Sequence, residues 1–234
     1  MNADTKPLRP LSALCRGDAS VLHGWLEDVD AGSFRTCALA VLIGGGFYGF
    51  TIGFWRAPEM GFYVALKLPL LIFLVLLVNG LISSMFASLL GSGLSFRQTL
   101  TMSLVSFTTA ALILGALSPV TLFMVANAPG ANTPEAPRYH QIFLLTNTAL
   151  IAYAGIVGNV KAYRVLAAFT GRVKAARRTL LAWLAVNLFV GAQLSYNLRP
   201  FFGNPEREVV FLRENAFNGS FYEVIVQSLV AIFQ

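Results

Sequence analysis

Charge is what this chain has least of. Asp, Glu, Lys and Arg make up 12% of its 234 residues, against 56% hydrophobic, where a soluble globular chain carries roughly 25% charged residues. So little charge cannot cover a body of 25.3 kDa, and the missing polar surface must face something other than water. These proportions exclude a water-soluble enzyme, a disordered protein and a disulfide scaffold. Cysteine is scarce as well. Cys15 falls in the N-terminal arm and Cys37 in the first apolar span, so they are not expected to bridge, and two isolated thiols hold no metal. Histidine is limited to His23 and His140, which fall on opposite sides in the topology below. There is no HExxH, no GxSxG and no paired carboxylate within the apolar stretches, and Gly91-Ser92-Gly93 has no following Lys to make it a phosphate loop. The chain therefore reads as a non-enzyme with no catalytic residue, no metal and no cofactor.

What is present is long apolar runs. Stretches free of Asp, Glu, Lys and Arg cover Thr36–Trp55, Leu68–Phe96, Gln98–Pro134, Tyr139–Val160 and Thr179–Leu198. About 20 such residues span the hydrocarbon as a helix. The third stretch is too long for one helix, and Pro129, Gly130, Asn132 and Pro134 mark its end as a loop. The expected helices are 36–55, 65–90, 99–126, 140–161 and 179–198. They are helices because the apolar residues run continuously instead of alternating, as barrel strands would. Pro69 falls near the expected start of the second helix, where a missing N–H costs little. Pro119 lies inside the third and predicts a kink or an early end.

The first 34 residues contain no uninterrupted apolar core, since Asp18, Glu27, Asp28 and Asp30 break the candidates, so no signal peptide is expected. Leu11, Leu14, Val21, Leu22, Trp25, Leu26 and Val29 recur at helical spacing and predict one or two amphipathic helices on the membrane surface, with His23 as an interfacial side chain. Orientation follows from the basic residues. With the N-terminus inside, eleven of the seventeen Lys and Arg are cytoplasmic, six of them in 161–178, which holds no acidic residue. The expected domains are a cytoplasmic arm over 1–35, a five-helix transmembrane domain over 36–198 and an extracytoplasmic segment over 199–234. Within that last segment, 221–233 is an aromatic-rich amphipathic stretch too short to cross, and Asn218-Gly219-Ser220 fits a glycosylation sequon. Thirteen Arg to four Lys points to a GC-rich bacterial genome, and so to a bacterial inner membrane.

Gly45, Gly49 and Gly53, with Gly44 and Gly46 beside them, form a flat strip on the first helix. Helices in lipid associate by close backbone approach, so the strip predicts a packing face. Ala111 with Gly115, and Gly155 with Gly158, are its expected intrachain counterparts. No ionisable group is expected at mid-helix, because Lys67 lies near the expected start of the second helix and can snorkel to the headgroups. Of the neutral polar residues, Asn79, Asn147 and Asn187 are candidates for a polar path. Gly171 divides the basic segment into two short helical extensions, and Arg172, Lys174, Arg177 and Arg178 are candidates for contact with anionic headgroups or an acidic partner. Nucleic acid is not expected as a partner, since no binding module accompanies the charge. Phe201, Phe202, Phe211, Phe217, Phe221 and Tyr222 are the candidate partner interface, because aromatic anchors dominate interfaces.

The run Leu89-Leu90-Gly91-Ser92-Gly93-Leu94-Ser95-Phe96-Arg97-Gln98-Thr99-Leu100 resembles bacterial members of the Yip1 domain family. In those proteins a Gly-rich turn, a Ser-Phe-Lys/Arg and a Thr-Leu join the second and third helices. The resemblance covers roughly residues 68–120, and the family's five-helix layout matches the expected one. It implies a non-enzymatic membrane protein working through protein partners. The expectation is thus an all-α membrane protein, a five-transmembrane-helix bundle with an interfacial N-terminal arm and an outside amphipathic C-terminal segment. Its expected role is an accessory, scaffold or assembly subunit, contacting membrane lipids and either another membrane protein or itself. The competing expectation is a channel or carrier for a neutral or lipid-like solute.

Overall fold

A computed structural model describes Ser12, Leu14, Arg16, residues 31–90 and residues 93–232. Cys15, His23, Leu11, Val21, Leu22, Trp25, Leu26, Val29, Gly91, Ser92 and Phe233 lie outside the described residues. Among the described residues the chain forms α1 (Ala31–Phe54), α2 (Pro58–Leu89), α3 (Phe96–Ala126), α4 (Ala136–Thr170), α5 (Val173–Leu198) and α6 (Phe221–Ile232), with no strand. Each of α1 to α5 is long and apolar enough to cross a membrane. Ile43 (71% exposed), Phe62, Phe123, Leu145 and Leu188 stand on outward faces of these five helices, which in water would be an unsupportable apolar surface. This is a multi-pass membrane protein.

All five helices differ from the expected bounds, and each runs longer. At 1.5 Å per residue the 35 residues of α4 reach about 52 Å, well beyond a hydrocarbon core of roughly 30 Å. Runs without charge mark where lipid lies, while a helix stops where its backbone chemistry changes. Pro58 occupies the first turn of α2, where it has no N–H to leave unpaired. Ser95 caps α3: its hydroxyl accepts from Gln98 N–H at 3.3 Å, and its own N–H donates to Gln98 Oε1 at 2.8 Å, a capping box. Gly171, at φ 60°, ends α4 in the left-handed conformation, which costs glycine little. Pro119 neither ends α3 nor shortens it, and Pro69 sits well inside α2. Prolines are tolerated in bundled membrane helices because neighbours re-satisfy the freed backbone.

Packing follows a closed circuit. α1 lies against α2 and α3, α2 against α5, α3 against α4 and α4 against α5; α2 and α3 also touch, and α6 rests on α5. Glycine sets how closely α1 approaches both neighbours. A methyl at Gly49 would stand 2.5 Å from the Val64 carbonyl oxygen, one at Gly53 2.5 Å from that of Met60, and one at Gly44 2.5 Å from that of Ala111. The Gly45-Gly49-Gly53 strip thus faces α2, with Gly45 in ordinary contact with the Pro69 ring at 3.7 Å. Of the expected counterparts, Ala111 and Gly115 do meet α1, at Gly44, whereas Gly158 closes α4 onto Ser106 of α3 and Gly155 has nothing within 4 Å.

Three side-chain contacts pair buried polar groups between helices. The Tyr48 hydroxyl donates to Asn147 Oδ1 at 2.8 Å, and the Thr51 and Thr121 hydroxyls share a bond of 2.7 Å. Trp183 Nε1 donates to the Ser83 carbonyl at 3.0 Å. Leu14, expected on a membrane-surface face, is instead buried in the core beside Cys37 and Val41, and its carbonyl accepts from Lys161 Nζ at 2.7 Å.

Candidate functional site: a cationic hollow beneath the 199–220 segment

Two ends of the bundle can be told apart. One carries the α2–α3 and α4–α5 connections. The other, the tail end, carries the α1–α2 and α3–α4 connections and the segment 199–220. Aromatic residues floor the tail end. Trp55 Nε1 donates to the Pro129 carbonyl at 3.1 Å and its ring lies 5.1 Å from Tyr139, which stacks in turn on Phe143 at 5.8 Å.

After α5 the chain folds back across this floor, drawn by two cations. Lys67 is fully buried and donates from Nζ to the Pro200 carbonyl at 2.9 Å. Its ammonium also lies 4.9 Å from the Phe211 ring and 6.0 Å from that of Phe201, within range of a cation–π attraction. This corrects the snorkelling expectation. α2 begins at Pro58, so Lys67 sits about 14 Å along it and turns inward to the chain's own tail. Buried charge survives in such a place only with partners. Arg56 supplies the second tie, donating from Nε to the Asn204 carbonyl at 3.3 Å and from Nη2 to that of Arg207 at 3.2 Å. Gly203 makes room for it, because a methyl there would overlap the Arg56 side chain.

Between these ties lies a hollow of about 460 Å³, lined by Arg56, Met60, Arg207, Glu208, Val209 and Arg213 among others. That volume is within the range of ligand pockets. Arg213 is half-buried, whereas Glu208 and Glu214 are exposed. Burial, then the positive charges of Arg207 and Arg199, pull the Arg213 guanidinium below the ordinary arginine range. Arg199 lies over the Tyr196 ring at 3.4 Å and donates from Nη1 to the Tyr196 carbonyl at 3.0 Å, while its Nε is buried without a partner. The arrangement can hold an anion. Among the described residues no group of three or more His, Cys, Asp or Glu could hold a metal ion.

The residues singled out from sequence are distributed as follows. Phe201, Phe202 and Phe211 pack on the chain's own bundle: Phe202 edge-on to Phe143 at 6.4 Å, Phe211 edge-on to Tyr63 at 5.5 Å, and Phe201 beside Lys67. They anchor the tail to its own bundle. Phe217 is 73% exposed. Tyr222 stacks on Phe189 of α5 at 4.5 Å with Phe221 edge-on beside it, and these two hold α6. The three asparagines do not line one path. Asn79 donates to Asn187 between α2 and α5, whereas Asn147 belongs to the Tyr48 contact and donates to the Phe143 carbonyl at 2.8 Å. At the opposite end Arg172, Lys174 and Arg178 line a shallow hollow of about 450 Å³ with Leu90, and Arg177 is exposed.

Sequence reasoning missed the cluster of Arg56, Arg199, Arg207 and Arg213. A signal for it was present: four arginines on the side expected to hold few basic residues, three of them in the turn-rich run after α5.

Fold and geometry together define a multi-pass helical membrane protein whose C-terminal segment is folded onto one end. No family model, no curated protein and no solved structure matches the chain.

Proposed function

We propose that this protein is a non-enzymatic accessory or scaffold subunit of a membrane complex, assembling with itself or with another membrane protein. One observation carries the reading: three polar pairs of the bundle interior close between neighbouring helices, leaving Thr179 Oγ1 and Asn79 Oδ1 without a partner, and glycine contacts bring α1 backbone to backbone with α2 and α3. Asn79–Asn187, Tyr48–Asn147 and Thr51–Thr121 each close on a partner in a neighbouring helix, so they serve cohesion and not a solute path. The contact surface in this reading is what the tail leaves outward, namely Phe217 and the exposed Val224, Ile225, Val226 and Val230 of α6.

The membrane is the bacterial cytoplasmic membrane, with the N-terminus inside and the tail end outside. The excess of basic residues at the α2–α3 and α4–α5 connections supports that orientation. Membership of the Yip1 domain family is part of the same proposal and rests on the 89–100 run.

Purification in a gentle detergent followed by mass identification of companions tests the role. A stable homo-oligomer or a stoichiometric membrane partner is expected. A lone monomer, or solute flux in reconstituted vesicles, would overturn it.

A further inference from the structure

We propose that the hollow at the tail end is an anion site that takes a phosphate group, held by Arg213 and Arg207 with Arg199 behind them. The inference is independent of the scaffold reading. Its basis is a set of cations whose donors are left over. Arg56 is engaged with the Asn204 and Arg207 carbonyls. The guanidinium groups of Arg207 and Arg213 meet no hydrogen-bond acceptor among the described residues, and the buried Nε of Arg199 has none either.

The Arg207 and Arg199 guanidiniums each repel that of Arg213, and half-burial denies Arg213 the full hydration that would screen the repulsion. Arg207 and Arg199 press on Arg213 as like charges, opposed by Tyr196. Glu208 and Glu214 line the same hollow; they are exposed, as Arg207 is, and neither forms an ion pair with Arg213 among the described residues. A bound anion supplies the missing counter-charge. Phosphate suits it, because each planar guanidinium presents paired N–H donors that match two phosphate oxygens. At about 460 Å³ the hollow has room for a substituted phosphate as well as the bare ion.

The phosphate can arrive on a lipid headgroup or in solution, and the test separates the two. The full chain is purified in detergent and offered inorganic phosphate by titration calorimetry. In parallel it is reconstituted in nanodiscs with or without phosphatidylglycerol, and retained lipid is counted by native mass spectrometry. The variants are Arg207→Gln, Arg213→Gln and the pair, with Arg138→Gln, exposed on α4, as control. Because the Arg207 side chain makes no bond within the described residues, its variant folds even where Arg213→Gln does not, and melting in detergent checks each. Phosphate binding weakened about tenfold or more by the pair, with Arg138→Gln unchanged, supports a soluble source. Phosphatidylglycerol retained by the wild type and lost from the pair supports a lipid source. Binding of neither probe, or equal binding by the wild type and the pair, overturns the proposal.

Discussion

Replacing Gly49 by alanine adds one methyl group where two helices meet backbone to backbone. That methyl would lie 2.5 Å from the Val64 carbonyl oxygen, 2.9 Å from its carbon and 3.2 Å from Ala65 Cα. None of these atoms belongs to a side chain that can rotate away. Restoring ordinary contact requires α1 and α2 to part by about 1 Å, and overpacking of this kind costs ~1–3 kcal/mol. Gly155→Ala is the matched control, since it makes the same chemical change in α4 with nothing within 4 Å. At ~2–4 °C per kcal/mol for a chain of this size, Gly49→Ala should lower the melting midpoint by roughly 2–12 °C, while Gly155→Ala leaves it unchanged or slightly raised. The assay is fluorescence-detected size exclusion after heating in one detergent. Equal midpoints for the two variants would refute the close-packing account of α1.

Further substitutions probe other contacts. Asn147→Leu leaves the Tyr48 hydroxyl buried without its acceptor and should destabilise by ~1–3 kcal/mol; adding Tyr48→Phe should recover part of the loss in a double-mutant cycle of thermal midpoints. Trp183→Phe removes the bond to the Ser83 carbonyl and should cost about 0.6 kcal/mol, the average for such bonds between membrane helices, read in the same assay. Gly203→Ala forces Arg56 aside and should expose 199–220 to limited proteolysis while the helices stay intact; an unchanged cleavage rate would contradict the stapling role of Arg56.

The five crossings were legible because absence of charge over some 20 residues is a property of the chain alone. Helix ends were less so. The bonds that stop a helix depend on the residues beyond the lipid, as at Ser95 and Gln98, and those two lie inside the run that resembles the Yip1 family. Helix-start chemistry therefore accounts for that part of the run without reference to partners. The glycine strip was legible as a surface for close approach, but its spacing does not say which helix approaches, and α2 turned out to fill it. Lys67 was misjudged because its acceptor, the Pro200 carbonyl, lies 133 residues away in sequence. The same distance hid the roles of Phe201 and Phe211: an aromatic residue looks alike whether it anchors its own chain or a partner. Asn79, Asn147 and Asn187 share a residue type but not a place, and periodicity holds no information on which helices face each other across the circuit.

Compartment-specific thiol labelling most directly tests the last crossing and the side on which the tail end lies. In a background with Cys15 and Cys37 replaced by serine, single cysteines at Ala175, beside the basic α4–α5 connection, and at Ser220, before α6, are exposed to a membrane-impermeant maleimide in intact cells. Ser220→Cys should be labelled and Ala175→Cys protected until the membrane is opened. Labelling of both positions from the same side would contradict the five-helix threading on which the placement of the cationic hollow depends.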